Sequence, residues 1–179
     1  MGRRHRLRLG SSRECDPLPL DGVRRTLDQY ATLGKSLHIT EFTPCSGGQP
    51  MIGGGQGVWD EAAQADYAEK FYRVCFAHPA VAAITWWDLC DTGAWLSGGG
   101  MLHADLSPKP VYTALHHLIH EEWHTSLTAT VDRKGAVRWR GFYGNYRVTV
   151  VKDGRQGVQT LHLGREDRND FKTVMSADR

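Results

Sequence analysis

The sequence predicts an α/β fold followed by a small antiparallel β module. Three observations carry this. Two apolar, strand-like runs, "SLHITEF" at 36–42 and "VAAITWW" at 81–87, flank one long amphipathic helical stretch. A long loop follows each run. From residue 125 onward, apolar residues recur every second position instead of every third or fourth.

Each element has its own local signal. Pro17 and Pro19 precede Asp21, a suitable helix N-cap, and Val23, Leu27, Tyr30 and Ala31 form one helical stripe that Gly34 ends. Leu37-His38-Ile39-Thr40 then reads as a strand that delivers a carboxylate, Glu41, to the start of a loop. Residues 43–58 are glycine-rich and without periodicity. A second helix begins near Trp59, with Asp60 and Glu61 where acids favour the helix dipole. Its stripe is Ala63, Tyr67, Phe71, Val74 and Cys75, and Pro79 closes it.

The run 81–87 is apolar on both faces, the pattern of a strand buried on both sides. A helix joining two such strands makes a parallel βαβ unit. The loop 92–108 leads to Pro110 and a third helix with the stripe Val111, Leu115, Leu118 and Ile119. Parallel α/β proteins carry their chemistry at the C-terminal ends of the strands, so Glu41 and the "WWDLCD" residues are expected at one edge.

After a boundary near His124, "SLTATV", "AVRWRGFY", "YRVTVV" and "VQTLHL" read as four short strands separated by the turns "DRKG", "GN" and "KDGRQG". The aromatics Trp139, Phe142, Tyr143 and Tyr146 recur at strand spacing, which favours packing over binding. The resulting division is a disordered basic leader at 1–16, an α/β region at 17–124, a β module at 125–164 and a polar tail at 165–179.

Charge and composition exclude several classes. Five arginines and one acid lie in the first 14 residues, leaving 17 basic against 19 acidic residues for the rest. The basic balance therefore belongs to the leader and not to a nucleic-acid-binding face. No apolar run reaches the roughly 18 residues of a membrane span, and the twin arginines of the leader lack the apolar segment of a secretory signal. Cys15, Cys45, Cys75 and Cys90 have no paired spacing, so neither a zinc site nor a disulfide framework is expected, and Cys75 and Cys90 read as core residues.

"HEEWH" at 120–124 has the H-E-x-x-H zinc-helix spacing. It ends a helix and turns into strands, and Leu127 and Thr130 stand where a metzincin continuation wants glycine and histidine. No metal is expected. The stretch "GGQPMIGGGQG" lacks the Lys-Ser/Thr ending of a phosphate-binding loop, so no cofactor is expected either.

The stronger constellation lies at the two strand ends. Glu41 stands at one, and Trp86, Trp87, Asp88, Asp91 and Trp95 cluster at the other. Indole faces stack on the apolar C–H faces of sugar rings, and acids bind the hydroxyls, so this is the chemistry of a carbohydrate cleft. "LGKSLHITEF", "QADYAEKFYRVCFAHPAVAAITWWDLCDTGAWL" and "DLSPKPVYTALHHLIHEEWHT", in that order, resemble the C-terminal part of family 10 glycoside hydrolases, the endo-β-1,4-xylanases. The resemblance covers residues from about 20 to 125.

The resemblance implies the last two strands, with flanking helices, of a (β/α)8 TIM barrel. It implies that Glu41 is the nucleophile of a retaining hydrolysis. Trp87, Asp91 and Trp95 match the family's W-G-x-x-D-x-x-x-W, with the tryptophans lining subsites beside the scissile bond, and Asp88 stands where the family often has glycine, which implies a narrowed or repolarised cleft floor. The family's acid/base Glu follows an Asn on the fourth strand, and this chain has no Asn-Glu dipeptide. The partner carboxylate is therefore expected on a missing N-terminal barrel half, and the chain alone is expected to be inactive. Two open-edged barrel strands are further expected to be poorly soluble alone, to need a complementing half, or to dimerise. The implied substrate is xylan or a related β-1,4 glycan, and the full-length parent is expected to be extracellular. The alternative is a non-catalytic carbohydrate-binding protein that uses Trp87 and Trp95.

Overall fold

A computed structural model describes residues 19–51, 57–165 and 168–173, and the backbone of 6–7. The chain divides into two compact units, 1–120 and 121–179.

The first unit is a three-stranded parallel sheet with helices packed on it. Its strands are β1 (Arg6–Leu7), β2 (Leu37–Phe42) and β5 (Val81–Trp86), in the order β1-β2-β5. A small two-residue ladder, β3 (Gln49–Pro50) with β4 (Val58–Trp59), interrupts the loop after β2. The helices are α1 (Leu20–Ala31), α2 (Glu61–Ala77) and α3 (Pro110–His117), the last continuing as a π-helical turn over Leu118–Glu122. The expected helix–strand alternation and the parallel pairing of β2 with β5 are both present.

Local chemistry fixes the helix ends. Asp60 caps α2, its Oδ1 accepting the Ala63 amide at 2.8 Å, a contact worth about 1 kcal/mol. Pro79 holds His78 in extended backbone and stops the helix. At α1 the cap is Pro19, and Asp21 falls inside the first turn. Gly34 follows that helix at φ +61°.

Burial departs from the sequence expectation in three places. The buried face of α2 is Gln64, Ala68, Phe71, Tyr72 and Cys75, so Ala63, Tyr67 and Val74 flank the core instead of facing it. A polar Gln64 on the buried stripe rotates the face away from the one that apolar residues alone mark out. Along β5, Ala82 and Thr85 are exposed and the other four residues are only partly buried, so the strand is not buried on both faces as expected. Cys90 is partly exposed.

Two expectations about the chain's start and its cysteines also change. Arg6–Leu7 lies within the stretch expected to be a disordered leader, yet it pairs with His38 and Ile39, because the free edge of β2 offers unpaired backbone groups to any extended segment. Residues 1–5 and 8–18 lie outside the described residues. Cys45 is disulfide-bonded, against the expectation of no such link, and its partner lies outside the described residues. No helix among the described residues is long and apolar enough to cross a membrane.

In the second unit, two strands form where four were expected: β6 (Gly144–Lys152) and β7 (Arg155–Leu163), paired antiparallel from Gly144–Leu163 to Lys152–Arg155. Asp153 and Gly154 make the two-residue turn at φ +50° and +77°, both left-handed as the hairpin twist requires. "SLTATV" and "AVRWRGFY" form no ladder. Asp132 instead closes a local turn through its backbone and Oδ1 contacts with Lys134 and Ala136. Trp139 packs edge-on to Tyr146 at 4.7 Å.

Candidate active site

The site is built where the C-terminal ends of β2 and β5 meet. Ile39 pairs with Ile84 and Phe42 with Trp86, so three steps on β2 span two on β5. This is a β-bulge, which inserts an extra residue and re-aims a side chain. Simple alternation from Leu37 and Ile39 would bury Glu41. The bulge buries Phe42 instead and leaves Glu41 half-buried at the strand end.

Phe42 forms the floor beside Glu41. Its ring stacks on Phe71 at 4.0 Å, meets Trp86 edge-on at 5.3 Å and lies 5.9 Å from Tyr72. Burial in this aromatic layer pushes the Tyr72 phenol and the Cys75 thiol each up to about 12 and raises the Tyr67 phenol as well. These groups therefore stay neutral and serve packing. The Phe42 carbonyl accepts the Trp87 amide at 3.0 Å, so the residue after Glu41 is bonded directly to the start of the tryptophan loop.

Trp87 and Trp95 are 54% and 66% exposed, which leaves their indole faces open as a sugar platform requires. Asp88 and Asp91 turn inward. Asp88 is buried; its Oδ2 accepts from Thr43 at 2.8 Å and its Oδ1 from the Trp95 amide at 3.1 Å. The Asp91 Oδ1 accepts the Gly100 amide at 2.9 Å, and both its oxygens face the Lys109 ammonium at 3.2 and 3.3 Å. Both acids thus shape the loop that presents the indoles.

Two further residues, unremarked in the sequence, tie the loops together. Gln64 Nε2 donates to the carbonyls of Pro44 and Gly98 at 2.7 and 2.8 Å. Lys109 reaches Ser46 and Gly98. The glycines 98–100 are the meeting point. A Cβ on Gly100 would lie 2.3 Å from the Cys90 carbonyl carbon, so only glycine permits this backbone approach. The carbonyl of Gly99 accepts from Trp86 Nε1 at 3.0 Å. The only sequence signals were a lysine set between Pro108 and Pro110 and a glutamine on an otherwise apolar helix face.

Among the described residues, no group of three or more His, Cys, Asp or Glu gathers to hold a metal ion. Around "HEEWH" the helix becomes a π-turn that ends at Glu122, so the four-residue spacing of His120 and His124 does not fall on one α-helical face.

Comparison with known proteins places these features. Residues 12–118 match the profile of "Glycosyl hydrolase family 10". The chain is 29% identical over 144 residues to anti-sigma-I factor RsgI6 of Acetivibrio thermocellus, covering 80% of this chain and 17% of that protein. It is 31% identical over 109 residues to endo-1,4-beta-xylanase B of Thermotoga neapolitana, covering 57% of this chain and 30% of that enzyme. Among solved structures it resembles xylanase B from Clostridium stercorarium F9, with a TM-score of 0.44, 18% identity and coverage of 63% of this chain and 34% of that one. The chain thus spans less than a third of the length of these two curated relatives.

Proposed function

Because this chain belongs to glycosyl hydrolase family 10, we propose that it forms the nucleophile-bearing part of a retaining xylanase-like enzyme acting on xylan or a related β-1,4 glycan. The observation that carries this is the bulge that sets Glu41 at the strand end beside Trp87, with Trp95 presented on the loop bonded to it. Glu41 attacks the anomeric carbon to form a glycosyl ester as the leaving oxygen departs. A second carboxyl about 5–5.5 Å away protonates that oxygen and then activates water. With no Asn-Glu dipeptide in the sequence, that carboxyl is assigned to barrel strands supplied by another segment, and the chain alone does not hydrolyse. Trp87 and Trp95 stack on the sugars, while Asp88 and Asp91 brace the backbone of the loop that carries Trp95. The disulfide at Cys45 supports an exported parent, since such bonds persist in oxidising surroundings.

A second reading rests on the open indoles of Trp87 and Trp95, 54% and 66% exposed, in a chain without an Asn-Glu dipeptide. On that reading the same indoles bind glycan without cleaving it. Glu41→Gln separates the two. In a polypeptide containing the chain and its complementing barrel segment, hydrolysis of xylotetraose should fall by more than about 1000-fold, while binding persists. A wild-type complex that binds xylotetraose and never cleaves it would overturn the hydrolytic reading and favour the second.

A further inference from the structure

We infer that Lys109 is a positioning residue for the sugar-facing loop: its buried ammonium fixes Trp95 relative to the strand end that carries Glu41. The inference rests on the cleft just described and names a residue that does not touch the sugar.

The Lys109 side chain is 0% exposed, rare for a lysine, and its ammonium meets three residues on two separate loops. Ser46 Oγ, at 2.8 Å, belongs to the loop that follows Glu41. The Asp91 carboxylate, at 3.2 and 3.3 Å, and the Gly98 carbonyl, at 2.9 Å, lie on either side of Trp95 in the loop after β5. One cation thus holds both ends of the Trp95 turn and ties them to the Glu41 loop.

The post itself is rigid. The Lys109 amide donates to the Met101 carbonyl at 3.1 Å, and its carbonyl accepts from Tyr112 at 3.0 Å. Pro110 fixes the backbone that follows. Three diverging acceptors around one nitrogen suit the tetrahedral ammonium and not the planar fork of arginine. Without the ammonium, the Ser46 hydroxyl still donates to the Gly98 carbonyl at 3.0 Å, but the Asp91 carboxylate loses its counter-charge and the Asp91 side of the turn loosens. Gln64 still holds Gly98 from α2, so the sheet stays intact.

The test compares the chain with Lys109→Met by amide hydrogen exchange and by xylotetraose binding, read from tryptophan fluorescence. The Trp95 and Gly100 amides, which donate to Asp88 and Asp91, should exchange on the order of tenfold faster, while the Ile39 and Ile84 amides of the sheet stay unchanged. Affinity for xylotetraose should fall about as far as in Trp95→Ala. Uniformly faster exchange across the sheet and loop would reduce Lys109 to a folding role, and unchanged loop exchange would also overturn the inference. If K109M fails to fold, K109M combined with Asp91→Asn removes both charges together and is read by the same two amides. Should Trp95→Ala leave xylotetraose binding untouched, the sugar cleft is wrong, and loop exchange still decides the role of Lys109.

Discussion

The strand ends of the first unit are bulged and the hairpin of the second keeps one unbroken register, and different forces hold them. Around Glu41 the fixing contacts are non-local: Thr43 to Asp88, Gln64 to Pro44 and Gly98, Lys109 to Ser46. They are buried polar bonds, costly if left unmade, and so they specify one arrangement of two long loops. The hairpin is fixed locally. Its register follows from the Asp153–Gly154 turn, its inward face is set by simple alternation, and Leu161 is its one buried apolar residue among the described residues. The first arrangement fixes two long loops, and the exposed Trp87 and Trp95 on one of them, relative to the strand end that carries Glu41. The second needs only a good turn.

Perturbing each side separately sharpens this contrast. The largest effect is expected from Phe42→Ala, which empties the aromatic layer under Glu41 and should cost about 3–5 kcal/mol in urea unfolding. Amide protection should vanish in β2 and β5 while β6 and β7 keep theirs; loss in both units together would mean that they do not fold independently. A smaller effect follows from Gly154→Ala. A Cβ at φ +77° costs about 1–2 kcal/mol, and only the β6–β7 ladder should lose protection.

The smallest effect is chemical. At pH 8 a maleimide should label Cys90 and leave Cys75 untouched, because burial pushes the Cys75 thiol from its ordinary 9.0 up to about 12. The sign of the accompanying pH dependence follows from that direction. The stability supplied by keeping this thiol neutral is complete below pH 9 and declines as pH rises towards 12. Labelling of Cys75 at the rate of Cys90 would show that the aromatic layer opens readily.

What the sequence made legible follows the same division between local and distant causes. The helix–strand alternation, the Asp60 start of α2, its Pro79 stop and the Asp153–Gly154 turn each depend on neighbours within a few residues, and each is present. The positions of Glu41, Trp87 and Trp95 were readable as strand-end residues, but the bulge was not, since nothing in "HITEF" says which residue is the extra one. Gln64 and Lys109 escaped notice because a buried polar side chain is defined by acceptors far away in sequence. The loop-bracing contacts of Asp88 and Asp91 were hidden for the same reason: their donors lie on Thr43, Trp95, Gly100 and Lys109, which no local pattern links to them. The extra pair of strands expected before residue 144 failed on the opposite ground, because alternation alone supplies no partner to pair with.

The stretch 92–97 hangs between two anchored posts, Asp91 on one side and Gly98 on the other, and among the described contacts its link inward to the β5 end is the Trp95 amide on Asp88. Such a span behaves as an exchangeable cassette. Its outward side chains are free to vary without disturbing the sheet that carries Glu41, provided the posts, that amide and Leu96, which packs against the buried Cys45 and Trp59, are kept. On the reading proposed above, a laboratory seeking a different ligand preference would recode 92–95 and leave the scaffold beneath them alone.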